Sequence, residues 1–234
     1  MINIRELRFW TILLMVGLSM MAIATALPTL RFAVAAQLAD PQTVNERLQP
    51  STIDPPMAPL ALRLTLVLAP PKSPAERVDA LQALLGLTPL VGGAWLDLAI
   101  ARQQAGQPMQ NVASALALSS LTGPNEVRFM AGRAVFGLPL WERLPPDVRR
   151  GLIGDLVGGW GGVTTDDRRD LDAILTVASD QTRAEISAAL LLAGKPAEPI
   201  MKALDLSLET IVPPVVDREE THAEPPQPHD IAKP

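Results

Sequence analysis

The sequence contains no cysteine and no tyrosine, and it has only two histidines. Without cysteine, the chain has no disulfide, no thiolate nucleophile and no cysteine-ligated zinc or iron–sulfur site. Both histidines, His222 and His229, lie in a proline-rich stretch near the C-terminus. The region expected to fold therefore lacks an imidazole for general-base catalysis at neutral pH. We predict no catalytic residue, no metal site and no cofactor.

Charged side chains are scarce, at 19% of the chain, whereas hydrophobic residues make up 48%. The net charge is −5, and residues 73–204 carry 12 basic and 14 acidic side chains. Proteins that bind nucleic acid present a clustered basic face to the phosphates. No such cluster is visible here, so no nucleic-acid partner is predicted.

A long hydrophobic run is present near the N-terminus. Residues 9–27, FWTILLMVGLSMMAIATAL, contain no charge and follow Arg5 and Arg8. As a helix rising about 1.5 Å per residue, this run nearly spans a hydrocarbon core about 30 Å thick. Basic residues before the run favour a cytoplasmic N-terminus. Residues 9–27 therefore predict a membrane partner: a single-pass inner-membrane protein with the bulk of the chain in the periplasm.

Two alternatives to an uncleaved anchor stay open for residues 1–35. A cleavable signal sequence has a shorter apolar core and a site of small residues. Residues 24–26, Ala-Thr-Ala, and residues 33–35, Ala-Val-Ala, both offer such a site. The segment is also compatible with a buried helix of a soluble domain. The anchor and signal interpretations both predict export of the remaining chain.

Residues 36–72 are predicted to form a proline-rich linker, because seven prolines interrupt them and proline disfavours helix at the preceding residue. Within this linker, residues 60–69, LALRLTLVLA, place leucine at every second position. That alternation is typical of a strand. We expect an extended segment that packs along the helices or a strand that binds a partner.

Helical periodicity extends over residues 73–211. Ser73, Pro74 and Glu76 form a typical helix start, and Trp95, Leu98 and their neighbours recur at helical spacing. Predicted helices cover residues 73–86, 94–106, 111–121, 126–137, 147–160, 167–179, 181–193 and 197–209. Residues 212–234 are predicted to be a disordered, acidic, proline-rich tail.

Residues 95–124 resemble a tetratricopeptide repeat. Trp95 and Leu98 match the first two positions of its pattern, Ala99 replaces a glycine, and Pro124 follows near the expected closing position. Arg102 departs from the pattern, which has an aromatic residue there. The resemblance implies an all-α fold of stacked antiparallel helical hairpins after the N-terminal transmembrane helix, since a single repeat cannot bury its own apolar face.

A second resemblance covers residues 115–150. This segment is similar to small exported helical proteins associated with cell-surface polysaccharide assembly in Gram-negative bacteria. It contains no catalytic motif. The resemblance implies a membrane-anchored, non-enzymatic adaptor that binds a partner protein of envelope or exopolysaccharide assembly.

The predicted partner-binding residues are basic and aromatic, because Arg and Trp are enriched among residues that dominate binding energy. They are expected to line a groove for an acidic peptide or an anionic glycan, and solvated helix faces are the alternative. The predicted residues are Arg128, Arg133, Trp141, Arg149 and Arg150.

Acidic residues support a competing prediction, a periplasmic glycan-active enzyme or glycan-binding protein. Glu142, Asp147 and Asp155 are candidates for the paired carboxylates of glycoside hydrolysis. Surface ion pairs with neighbouring arginines explain them equally well. The glycines around Trp160 suggest a ligand site or simply the end of a helix. A purely structural subunit of a membrane complex is a third possibility.

Overall fold

The computed structural model describes residues 4–48 and 54–206, and every regular element in these ranges is helical. The prediction of an all-α fold is therefore confirmed. The tail at residues 212–234 lies outside the described residues. The helix predicted at residues 197–209 is shorter in the structure, because α11 ends at Ala203. The helices are α1 (Ile4–Leu38), α2 (Val44–Arg47), α3 (Ala58–Leu68), α4 (Pro74–Leu87), α5 (Gly92–Gln104), α6 (Met109–Thr122), α7 (Val127–Gly137), α8 (Pro146–Gly159), α9 (Thr165–Val177), α10 (Asp180–Ala193) and α11 (Glu198–Ala203).

The first helix, α1, is longer than the apolar run suggested. Its segment Trp10–Leu38 is long and apolar enough to cross a membrane, and no residue of its most apolar 18-residue stretch is buried against the rest of the chain. Arg31 is the one charged residue in that segment. Because about 20 helical residues span a hydrocarbon core of about 30 Å, a span that begins at Trp10 ends just before Arg31. Residues 32–38 then extend beyond the hydrocarbon.

The end of α1 packs against α2 and α3. Val44, Leu48 and Ala61 are buried there, and Phe32 and Ala35 of α1 pack against them. The prediction of an extended segment at residues 60–69 is wrong, because α3 covers most of it. Leucine forms helices readily, and the described residues contain no strand with which this segment could pair.

Helices α3 to α6 surround one core, to which Leu144 and Leu152 of the α8 region also belong. Ser73 caps α4, since its Oγ accepts a hydrogen bond from the Glu76 amide at 3.2 Å, and the apolar face of α4 is buried as predicted. Helices α5 and α6 pack closely along their lengths. Arg102, which departs from the repeat pattern, donates from Nη1 to the Asn111 carbonyl at 2.8 Å and so links these two helices.

Helices α7 to α11 surround a second core. Helix α8 ends at Gly159, and a 3₁₀ turn at Trp160–Gly162 follows, so the glycines around Trp160 end a helix. Gly159 also allows a close approach to α7, because a Cβ there would lie 2.8 Å from the Met130 carbonyl carbon. The regular stacking of all hairpins as in a tetratricopeptide array stays a prediction.

Candidate functional site

The predicted partner-binding residue Arg133 is buried, with 1% of its surface exposed. Its Nε donates to Asp155 Oδ2 at 2.7 Å, and its Nη2 donates to Asp155 Oδ1 at 2.6 Å. Its Nη1 donates to the carbonyls of Ser119 and Gly123. The prediction for Arg133 is therefore wrong: its guanidinium is committed to joining α6, α7 and α8 and does not reach a partner.

Trp141 is also buried, with 4% of its surface exposed. Its Nε1 donates to Glu185 Oε2 at 2.9 Å. Arg149 donates from Nη1 to the same oxygen at 2.8 Å, and its guanidinium lies 5.8 Å from the centroid of the Trp141 ring. The prediction that Trp141 contacts a partner is wrong, because its indole is enclosed. Arg149 serves mainly this internal cluster, while Arg128 and Arg150 are exposed.

Two of the three carboxylates named by the enzyme hypothesis, Glu142 and Asp155, are engaged in contacts within the protein. Asp155 is buried against Arg133, so it is not the surface residue that was expected. Hydrogen bonds from Ser179 Oγ and Thr182 Oγ1, both 2.7 Å, lower the pKa of Glu142. A glycosidase needs a general acid with a raised pKa. Glu142 is instead held in its ionised form.

A groove lies between α3, α4, α5 and α7, with a volume of about 680 Å³. Its walls are largely apolar and its charged residues are mostly arginine. We call it the basic groove. Its principal lining residues are Leu60, Arg63, Val67, Arg77, Leu81, Leu84, Leu96, Asp97, Arg128 and Phe129.

Three arginines of the basic groove, Arg63, Arg77 and Arg128, are exposed. Within the described residues none of their three guanidinium groups makes a hydrogen bond or an ion pair. Asp97 is the one carboxylate among the described groove residues. The groove walls partly desolvate the Asp97 carboxyl and raise its pKa, although Arg77, Arg128 and Arg63 oppose that rise. The groove therefore combines an apolar lining with an excess of positive charge.

Glycines shape the floor of the basic groove where α5 meets α7. A Cβ at Gly93 would lie 2.6 Å from Cζ of Phe129, so the absence of a side chain there makes room for the phenyl ring. A Cβ at Gly132 would lie 2.9 Å from Cδ2 of Leu96. Phe129 and Leu96 therefore pack directly on these glycines, and the floor of the groove is apolar.

No known protein family, characterised protein or solved structure matches this chain. The basic groove is thus the feature on which a functional proposal depends. It shares Arg128 with the predicted partner-binding set, but sequence reasoning missed Arg63, Arg77 and Asp97. One signal for the missed wall was present: Leu60, Arg63 and Val67 recur at positions i, i+3 and i+7, which is helical spacing.

A second cavity, of about 430 Å³, lies between α6 and α8. Arg133 and Asp155 form part of its lining, but each satisfies the charge of the other. The described residues include no group of three or more acidic or histidine side chains placed to hold a metal ion. Neither observation supports a second candidate binding site as well as the groove residues support the first.

Proposed function

We propose that this protein is a membrane-anchored, non-enzymatic adaptor that binds a partner protein in the basic groove. The observation that carries the proposal is the groove itself, where three arginines without internal partners border exposed apolar side chains. Large apolar clefts with a few convergent charged groups are the usual form of a binding site. The resemblance of residues 115–150 supports a role in envelope or exopolysaccharide assembly.

Anchoring by α1 supports this role. Arg5 and Arg8 before the span favour a cytoplasmic N-terminus and a periplasmic domain. Confinement to a membrane raises the local concentration of a partner in the same membrane without any new contact. An adaptor of modest affinity is then sufficient to hold its partner.

The glycan-active alternative receives less support from the groove. Hydrolysis of a glycosidic bond uses two carboxyl groups about 5–9.5 Å apart. Asp97 is the one carboxyl among the described groove residues, and an exposed apolar wall with arginines suits a protein segment better than a neutral sugar.

The test is crosslinking of the full chain in its native membrane, followed by identification of the captured proteins. We expect Arg77→Gln together with Arg128→Gln to abolish capture of the principal partner. The matched control, Arg143→Gln with Lys202→Gln, removes the same charge from exposed positions outside the groove and should leave capture unchanged. Equal capture by both double variants would contradict the proposal.

A further inference from the structure

We propose that the occupant of the basic groove is an amphipathic helix of the partner protein that carries glutamate or aspartate beside its apolar face. This inference rests on the proposed adaptor function and specifies the chemistry of its partner. Three features of the groove lead to it: the length of its apolar walls, its unpaired arginines and its position relative to the anchor.

The walls of the groove are two helical turns long. On α3, Leu60 and Val67 are 50% and 70% exposed, and they stand seven residues apart, which corresponds to about 10.5 Å along a helix. On α4, Arg77 and Leu84 line the facing wall over the same spacing. Helices that bind in grooves present anchors at i, i+3 or i+4, and i+7, so a partner helix of two to three turns matches this length.

The charges of the groove select for carboxylates on that helix. Arg63, Arg77 and Arg128 face a single acid, Asp97, so the site keeps two unneutralised positive charges. A guanidinium binds a carboxylate through two parallel hydrogen bonds and is more weakly hydrated than an ammonium group. An acidic side chain at the edge of the occupant therefore gains a strong partner, and a basic one meets repulsion.

The groove and the anchor contact lie on different faces of α3. The face of α3 that packs on the anchor carries Ala61, Leu64 and Leu68. The groove face carries Leu60, Arg63 and Val67. One residue separates the two sets, so the faces are rotated by about 100°. The groove is therefore distinct from the surface that receives the end of the membrane-spanning helix.

A substitution at Asp97 tests the sign of the charge on the occupant. Removing its charge by Asp97→Asn makes the groove more positive without changing its shape. This change should strengthen binding of an acidic helix and weaken binding of a basic one. Arg77→Gln and Arg128→Gln should do the reverse, so the two kinds of variant move the affinity in opposite directions.

The experiment selects from a displayed library of amphipathic helical peptides on the full chain in phosphatidylcholine nanodiscs. Four positions beside the apolar face are varied among Glu, Gln and Lys. We expect enrichment of Glu at two or more of them. The enriched peptide should lose up to about tenfold in affinity with Arg77→Gln plus Arg128→Gln, because two exposed ion pairs are lost, and gain severalfold with Asp97→Asn. Arg143→Gln plus Lys202→Gln should change nothing.

Enrichment of Lys or Gln, or no enrichment, would overturn the inference. So would binding of phosphatidylglycerol vesicles that depends on the groove arginines and is not displaced by the acidic peptide, because lipid would then be the occupant. Tighter peptide binding by a chain ending at residue 206 would assign the groove to the chain's own residues 207–234 instead. When one of these results is obtained and capture in the native membrane still depends on the groove arginines, the proposed adaptor function is supported. In that case only the proposed chemistry of the partner helix is contradicted.

Discussion

The buried ion pair between Arg133 and Asp155 makes a quantitative prediction about stability. Replacing Asp155 by Asn leaves a guanidinium that is 1% exposed without a counter-charge. Breaking one partner of a buried pair costs about 3–5 kcal/mol. At about 2–4 °C per kcal/mol for a domain of this size, Tm should fall by about 6–20 °C. Arg133→Met should cost a similar amount.

The losses in the free energy of unfolding should not be additive when both partners are changed. Arg133→Met with Asp155→Leu removes both charges, and apolar replacements of buried pairs are often close to neutral. The Gly123 carbonyl would still lose the Arg133 donor, at about 1–3 kcal/mol for a buried unsatisfied group, whereas the Ser119 carbonyl keeps its hydrogen bond from the Gly123 amide. We therefore expect the double variant to be destabilised less than the sum of the single variants.

The assay is urea unfolding of the full chain in neutral detergent micelles, followed by circular dichroism at 222 nm and tryptophan fluorescence. The control is Arg169→Gln, which breaks the exposed pair with Asp166 and should cost less than about 1 kcal/mol. The reasoning is refuted if Asp155→Asn is no more harmful than this control. Additive losses in the double variant would show that the two side chains do not act as a pair.

Two further predictions concern Asp97 and the α7–α8 contact. Burial raises the pKa of Asp97, so the folded state holds its proton more strongly and stability falls as pH rises from about 3.8 through the folded pKa. Asp97→Asn should therefore raise Tm at pH 7 and leave it nearly unchanged at pH 3, and equal shifts at both would contradict this. Gly159→Ala should destabilise by about 1–3 kcal/mol, because its Cβ would overlap the α7 backbone. Gly154→Ala, with open space around it, should instead stabilise by about 0.5–1 kcal/mol; denaturant midpoints measure both, and similar losses would be contrary to expectation.

The all-helical fold was predictable because its signals are local. The cap at Ser73 and the buried face of α4 follow from residues within two helical turns of each other, and the same holds for the capping box at Thr164. The α3 segment was misread because its leucines satisfy both a period of two and, together with Ala61, a helical face. The choice between them depends on contacts with α1 and α4, which lie elsewhere in the chain.

The candidate site was only partly predictable because it depends on pairings across the chain. Arg133 and Arg128 are five residues apart, but only Arg133 forms an ion pair, with a carboxylate of α8. Residue type alone does not distinguish the buried arginine from the exposed one. The groove arginines come together only when three separate helices pack around Asp97. No short sequence motif predicts that arrangement.

The continuity of α1 has a consequence for how the domain meets other molecules. The helix runs from Ile4 through Pro28 to Leu38, and its final residues are packed into the cluster with α2 and α3. An anchored domain joined in this way keeps one elevation above the bilayer and shares the tilt of its helix. Such a domain moves by lateral diffusion and by rotation about the membrane normal, so its motion is confined to a thin layer parallel to the membrane. Under the proposed adaptor function, a partner must display its binding segment within that layer, so its height above the membrane is a condition for binding.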